Sequence, residues 1–314
     1  MFCGSIDEKL YNSVMEQKRH LVRMNHEIKQ GDTYLAGLRY DRYVSLLHGN
    51  IFVNMSKYLK KKIDYYKFNK KKAPFTLKNI KPSQPNYFSE YKIAVYTCVF
   101  GNYDQIVEPL CFPDNVDYYV ITDNKSFASE VWKAVNAEKF SDYTKNLSNV
   151  EKNRWFKMHP EKVFGQEYRY SIYIDGNILP VTDFTEFVNR LGDVGIAMFA
   201  HRYNDCVYQE ALNNYYLIKK VPSKDIEKQV NYLRAANMPE HYGMTTCNVI
   251  VRDHENPIVL KLMDDWWSEF MANCRRDQLS FPYVVWKNGI DMSNIATLGN
   301  DVWSSETLFV LEHK

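Results

Sequence analysis

From residue 92 onward, short apolar runs alternate with longer stretches in which apolar residues recur at helical spacing. Lys92–Phe100 (KIAVYTCVF) is a β-branched and aromatic run that stops at Gly101-Asn102, the pattern of a strand entering a turn. Tyr118–Thr122 (YYVIT) stops at Asp123-Asn124, and Ser171–Ile174 (SIYI) stops at Asp175-Gly176-Asn177. Val194–Ala200 and Asn248–Val251 supply two further strands. Helical patterns fill the intervals at Val150–His159, Val181–Leu191, Asp205–Ile218, Asp225–Ala236 and Pro257–Cys274. Strands alternating with helices predict an α/β fold, a mostly parallel sheet flanked by helices on both faces. In such sheets ligands sit beyond the carboxyl ends of the strands, where three of these runs end in polar, loop-forming residues.

The first 88 residues follow a different pattern. Residues 1–54 space Leu10, Val14, Leu21 and Ile28 as a helix would, among charges. Ser56–Lys72 then carries eight lysines, Lys57, Lys60, Lys61, Lys62, Lys67, Lys70, Lys71 and Lys72, against the single acid Asp64. Pro74, Pro82 and Pro85 follow as a linker. The chain therefore divides into a helical N-terminal region, 1–88, and a main domain, 89–314. If residues 57–72 are helical, Leu59, Ile63 and Tyr66 share a face flanked by lysines. That arrangement suits an anionic membrane surface, where each basic residue contributes ~1 kcal/mol. It suits equally an apolar face packed on the main domain.

At 314 residues and 45% hydrophobic content the chain can bury a full-size core, and its net charge of +2 excludes a general polyanion binder. No nucleic-acid module accompanies the basic segment, so nucleic acid is not an expected partner. Six cysteines show no CxxC pair and no metal spacing, which disfavours a disulfide scaffold and points to a reducing compartment. The N-terminus lacks the build of a signal peptide, and no apolar run approaches the ~20 residues needed to span a bilayer. The expected location is cytoplasmic, with a peripheral association to the inner face of the membrane through 57–72.

The sharpest chemical signal is Tyr173-Ile174-Asp175-Gly176-Asn177. A buried strand ending at Asp-x-Asn presents two oxygen ligands on a tight turn, and Gly176 is expected to let the backbone bend there. Hard cations such as Mg²⁺ or Mn²⁺ take such oxygens together with phosphate oxygens. A strand-terminating turn explains the same residues without chemistry. Arg154 and Lys157, three apart on a predicted helix, share a face that could hold phosphate or an acidic sugar, or could simply face solvent.

Seven segments in order, KIAVYTCVFGNYDQI, VDYYVITDN, KNRWFKMHP, YSIYIDGN, FAHRYNDCVYQEA, YGMTTCNVIVRDH and RRDQLSFPYVVW, together resemble a glycosyltransferase-like family of the GT-A superfamily. That family occurs in bacterial surface-polysaccharide clusters and in plant Golgi enzymes of pectin synthesis. The likeness covers about residues 90–290. It implies a GT-A-like, Rossmann-type sheet, with Thr97, Phe100, Gly101, Tyr103 and Asp104 around the nucleoside and Asp123 at the base or ribose. It implies Asp175 and Asn177 at the metal and diphosphate, with Asn in the second position supplying an uncharged amide oxygen where the family pattern has Asp. It further implies Arg154 and Lys157 at the donor, Asn248 near the transferred sugar, and Asp277 and Gln278 beside the anomeric carbon. Asp277 would bond the donor sugar, orient the acceptor hydroxyl or, in an inverting enzyme, act as general base; a salt bridge to Arg275 or Arg276 is the structural alternative. His201, at the end of the fourth strand, is expected near the donor sugar or acceptor, and His313 is the candidate third metal ligand.

Phosphate-loop, dinucleotide-fingerprint, nucleophile-elbow and HExxH motifs are absent from the sequence. The first loop, Gly101-Asn102-Tyr103-Asp104, lacks the Lys expected of a nucleotidyltransferase. The resemblance implies transfer of a sugar from a UDP-linked nucleotide sugar to a glycan or lipid-linked glycan in cell-surface polysaccharide synthesis, assisted by Mn²⁺ or Mg²⁺. The order Asp-Gly-Asn, Cys-Asn-Val, Arg-Asp-Gln resembles retaining enzymes. A catalytically silent nucleotide- or glycan-binding module, acting as an assembly partner, is the alternative that the Asn in the metal motif sustains.

Overall fold

The computed structural model describes residues 91–311 apart from 112, 166, 182, 184, 203, 219, 304 and 306. The N-terminal helical reading, the lysine-rich segment 57–72 and His313 lie outside the described residues.

The predicted sheet forms. Strands β1 (Ile93–Val99), β2 (Val116–Thr122), β3 (Lys133–Asn136) and β4 (Tyr170–Ile174) are joined in parallel in the order β3-β2-β1-β4. After a short strand β5 (Ile178–Pro180) come β6 (Ile196–Ala200), β7 (Thr245–Asp253) and β8 (Ala296–Thr297). The sheet continues β4-β7-β6-β8, and β7 runs antiparallel to both of its neighbours. The result is a seven-stranded, mostly parallel sheet with one reversed strand. A small second sheet pairs β5 with β9 (Leu308–Val310).

Strand alternation decides which side chains meet which face. Ala94, Tyr96 and Cys98 of β1, Tyr173 of β4 and Ile250 of β7 enter one core cluster. There they pack on helices α1 (Asn149–Met158), α4 (Pro257–Ala272) and α5 (Asp277–Lys287). Ile93, Val95, Ile172, Val249 and Val251 enter the opposite cluster. Long helices do not cover that second face as the pattern predicted. Phe187, Val188, Leu298 and Val302 do so, and the helix expected over Val181–Leu191 shrinks to Glu186–Asn189. A third cluster joins α2 (Val207–Asn213) and α3 (Ser223–Ala235) to Cys274, Leu279 and Tyr283. A π-helical turn at Asn214–Ile218 extends α2.

Four described cysteines, Cys98, Cys206, Cys247 and Cys274, are buried and free, as the apolar settings predict. Cys111, also buried, is disulfide-bonded, a departure from the expectation of reduced thiols. Among the described residues no helix is long and apolar enough to cross a membrane.

Candidate functional site

Helix α1 sets the site's geometry. Ser148 and Glu151 cap its start reciprocally, satisfying orphan N–H groups. At its other end Arg252, fully buried on β7, donates to the Lys157 carbonyl, and Tyr96 of β1 donates to the Phe156 and Lys157 carbonyls at 3.1 and 3.2 Å. A cation at the carbonyl end of a helix satisfies orphan acceptors and complements the helix dipole. These contacts fix α1 against the carboxyl ends of β1 and β4 and aim Lys157 inward. Asn153 of the same helix donates to the Cys98 carbonyl at 2.6 Å.

Lys157 is 1% exposed, yet it is charged-paired. Its Nζ donates to Asp277 Oδ2 at 2.7 Å, lies 3.8 Å from Asp175 Oδ1 and stands 4.8 Å from the centre of the Tyr173 ring. Arg154 Nε approaches the same Asp277 oxygen at 2.9 Å. Burial alone would raise the pKa of Asp277, but the charges of Arg154, Lys157 and Arg276 hold it far below the usual carboxylate range. Asp277 is therefore ionised at every working pH. The alternative salt bridge to Arg275 does not form, because Arg275 pairs with Glu151.

Asp175 sits where the sequence places it, one residue beyond β4. Its backbone N–H donates to the Asn248 carbonyl at 2.9 Å, and its Oδ1 accepts from the Tyr173 hydroxyl at 2.8 Å. Asn248 Oδ1 is buried without a hydrogen-bond partner, an acceptor available to a ligand. Gly176 has a different role from the one expected. Its φ is not positive; a Cβ there would stand 2.9 Å from Val99 Cγ2 and 3.1 Å from Asp104 Oδ2. Glycine is required for space, and the space lets the Asp104 carboxylate approach the turn. Positive φ is instead needed in the loop after β1, at Gly101 (63°) and Asn102 (55°).

Asn177 is more constrained than its reading as a plain ligand implies. Its Nδ2 donates to the Leu311 carbonyl at 2.8 Å, and its own carbonyl accepts from the Leu311 N–H at 2.8 Å. The amide ties the segment after β9 to the turn, which leaves its Oδ1 as the remaining donor atom for a cation. One carboxylate at Asp175, an amide oxygen at Asn177 and a second carboxylate near Gly176 are hard oxygen donors. They fit Mg²⁺ or Mn²⁺ if phosphate and water complete the coordination. No cluster of three His, Cys, Asp or Glu side chains suited to a metal occurs among the described residues.

The remaining predicted residues divide. Asp123 comes to the first loop and accepts from the Gly101 N–H at 3.1 and 3.3 Å. It braces the loop, and Tyr103 stands exposed on the same loop. Thr97 and Phe100, expected at the nucleoside, are 1% and 4% exposed; Phe100 stacks on Phe156. Both are buried because β1 stays covered to its end; Phe100 belongs to the core cluster, and the Thr97 hydroxyl is buried without a hydrogen-bond partner. His201 has both ring nitrogens engaged: Nδ1 accepts from the Asn204 N–H at 3.0 Å and Nε2 faces Glu210 Oε2 at 3.5 Å. Burial pushes its pKa below the ordinary histidine value. The ring is thus a neutral, held element above Glu210, which also accepts from Asn204 and Asn214 at 2.6 and 2.9 Å. Gln278 follows Asp277, and its N–H donates to Asp277 Oδ1 at 3.1 Å.

Sequence reasoning passed over Arg252 and Tyr96. Arg252 carried a signal, a charge inside an otherwise apolar strand.

Among curated proteins no significant match is found. Solved structures similar in fold include the WbbM bifunctional glycosyltransferase in apo form, at 12% identity and TM-score 0.42, covering 68% of this chain and 40% of that one. Mouse xyloside xylosyltransferase 1, apo form, matches at 9% identity and TM-score 0.37, covering 65% and 83%. Galactosyltransferase LgtC, in complex with donor and acceptor sugar analogs, matches at 12% identity and TM-score 0.34, covering 65% and 72%. These likenesses are too distant to carry an argument about this chain, which spans two fifths of the WbbM length. The family match is of another kind: residues 56–304 fit the model "TOD1/MUCI70, glycosyltransferase-like domain", starting upstream of residue 89 and taking in well over half of the sequence. The sheet with its charged cluster at the strand ends, and the extent of that match, place the chain in the TOD1/MUCI70 glycosyltransferase-like domain family.

Proposed function

We propose that this protein transfers a sugar from a nucleotide sugar, UDP-linked by preference, to a glycan or lipid-linked glycan acceptor in cell-surface polysaccharide synthesis. One observation supports this above the others. Asp175, Asp277, Arg154 and Lys157, distant in sequence, converge at the carboxyl ends of parallel strands in a chain of a glycosyltransferase-like family.

In this reading the loop after β1, held by Asp123, receives the nucleoside beside exposed Tyr103. Arg154 and Lys157 face the diphosphate and stabilise the charge that grows on it as the glycosidic bond breaks. Asp277 is too weak a base to deprotonate an acceptor hydroxyl, given its depressed pKa. It holds the two cations in place, which fits retention better than an inverting general-base route. Asn248 Oδ1 accepts from a sugar hydroxyl. His201 and Gln278 shape the donor-sugar side, His201 as a fixed neutral ring. Asp175 and Asn177, with Asp104 close by, would hold Mg²⁺ or Mn²⁺. Such an ion supplies Lewis-acid stabilisation of the departing diphosphate.

The test incubates purified protein with a panel of nucleotide sugars, in Mn²⁺ or in EDTA, and follows release of free nucleotide. Turnover of one UDP-sugar is expected, abolished by Asp175→Ala. Binding without turnover would favour the silent-module reading, and neither binding nor turnover of any donor would overturn the proposal. Membrane association through 57–72 is a separate expectation: flotation with liposomes should require anionic lipid.

A further inference from the structure

The two carboxylate oxygens of Asp175 are not equivalent. Tyr173 lies two residues earlier, and in extended backbone side chains two apart leave the strand on one side. The Tyr173 hydroxyl donates to Asp175 Oδ1 at 2.8 Å, and Lys157 Nζ stands 3.8 Å from that same oxygen. Among the described residues no hydrogen bond or ion pair reaches Oδ2. Both donors are held by the core. Tyr173 is 1% exposed, pairs with Tyr96 across β4 and β1, and meets the Tyr96 ring edge-on at 5.4 Å. Tyr96 is itself tied to the end of α1 through the Phe156 and Lys157 carbonyls. Lys157 is anchored on Asp277 at 2.7 Å, whereas the Asp175 side chain is one-third exposed.

A buried tyrosine hydroxyl needs a partner, and that need would account for the bond without any role in function. The arrangement has a further consequence. An ammonium offers donors and no acceptor, and the tyrosine directs its one proton at Oδ1, so this oxygen is claimed twice from the protein side. Oδ2 is the oxygen left for a ligand. Groups that bond a metal-ligating side chain from behind fix its orientation, and losing one typically costs about 10–100-fold in metal affinity.

Resting on the nucleotide-sugar reading above, we infer that Tyr173 is the positioning residue of the Mg²⁺ or Mn²⁺ site. With Lys157 it claims Oδ1, so Asp175 takes the cation through Oδ2 alone. An amide at this position separates the inference from a bond that merely satisfies a hydroxyl. Asp175→Asn keeps one oxygen, and an amide oxygen is itself a competent ligand for such cations. Lys157 cannot accept from an NH₂ group, so that oxygen would turn towards Lys157 and Tyr173, and the NH₂ group would face the cation.

Mn²⁺ uptake with UDP present, read from the electron paramagnetic resonance of the free ion, tests this on wild type, Tyr173→Phe, Asp175→Asn, Asp175→Ala and Tyr232→Phe. Tyr232, on α3, bonds Tyr283 and Glu269 and serves as the control for loss of a hydroxyl. Tyr173→Phe should weaken Mn²⁺ binding about tenfold, and Tyr232→Phe should match wild type. Asp175→Asn should bind Mn²⁺ no better than Asp175→Ala. Any UDP affinity retained in EDTA should be equal in Tyr173→Phe and wild type, which a general loss of packing would not give. Melting curves verify folding, and Asp175→Asn, at a one-third exposed side chain, carries the test if Tyr173→Phe does not fold. Wild-type Mn²⁺ affinity in Tyr173→Phe, or clearly tighter binding by Asp175→Asn than by Asp175→Ala, overturns the inference and leaves the nucleotide-sugar reading standing. UDP binding without Mn²⁺ uptake by the wild-type chain overturns it together with the cation site. Absence of UDP binding in either medium removes the nucleotide-sugar reading as well.

Discussion

Lys157 and Asp277 form an almost fully buried ion pair 120 residues apart in sequence. Removing one partner of such a pair strands the other charge in a low-dielectric setting. Asp277→Asn should therefore destabilise the fold by about 3–5 kcal/mol in urea titrations, and Lys157→Met added to it should recover part of the loss. Full additivity of the two changes would refute a coupled pair. Two buried histidines and one half-buried one set the acid limit. His159, His201 and His254 all have pKa values lowered mainly by burial, His254 from 6.5 to about 3. Below pH 6.5 the unfolded chain binds protons that the folded chain refuses, so the stability these rings contribute is full above that pH and is lost as pH falls. His254 donates to the Tyr168 carbonyl and accepts from Ser171. His254→Asn should flatten the decline between about pH 6 and 4 by up to roughly 1.4 kcal/mol per pH unit. An unchanged slope in urea titrations across that range would contradict the assignment. At this scale Asp175 was legible, because an acid at the end of an apolar run is conspicuous. The second bond of Asn177 was not, since its partner, Leu311, lies 134 residues away.

The turn after β4 joins two elements, the main sheet and the small β5–β9 pair. Gly176→Ala should cost about 1–3 kcal/mol through overpacking against Val99 and Asp104, and it should displace the Asp104 carboxylate. The same melting curves with wild-type stability would show that the turn has room. Asn177→Ala removes the bond to the Leu311 carbonyl, worth about 1 kcal/mol, and should speed proteolytic trimming after β9. Identical trimming of both proteins would mean that β9 is held by other contacts. Helices α1, α3 and α4 were readable because each has an apolar stripe or a start signal. Helix α5 was read only as a motif. Leu279, Phe281, Val284 and Val285 are buried together with Asp277 and Ser280, so no polar face marks its period, and Pro282 lies inside it. Strands β3, β5, β8 and β9 have two to four residues each, too short to show alternation.

Across the whole molecule, fold and candidate chemistry separate cleanly in one comparison. The Asp175 side chain is about one-third exposed, and Asp277 is buried. Asp175→Ala should therefore melt within a few degrees of wild type while losing turnover, whereas Asp277→Asn should lose both. Equal melting losses would place Asp175 among the structural residues. The sequence alone determined the class of fold and the tip of β4, because strand periodicity and turn chemistry are local and survive without a partner. It determined too, through seven ordered segments, the kind of family to which the chain belongs. The tertiary structure alone decided that Arg154 and Lys157 share Asp277 and that His201 is held against Glu210. Charge pairing depends on distance in space, and a chain that reverses one strand in seven brings together groups that no local pattern links.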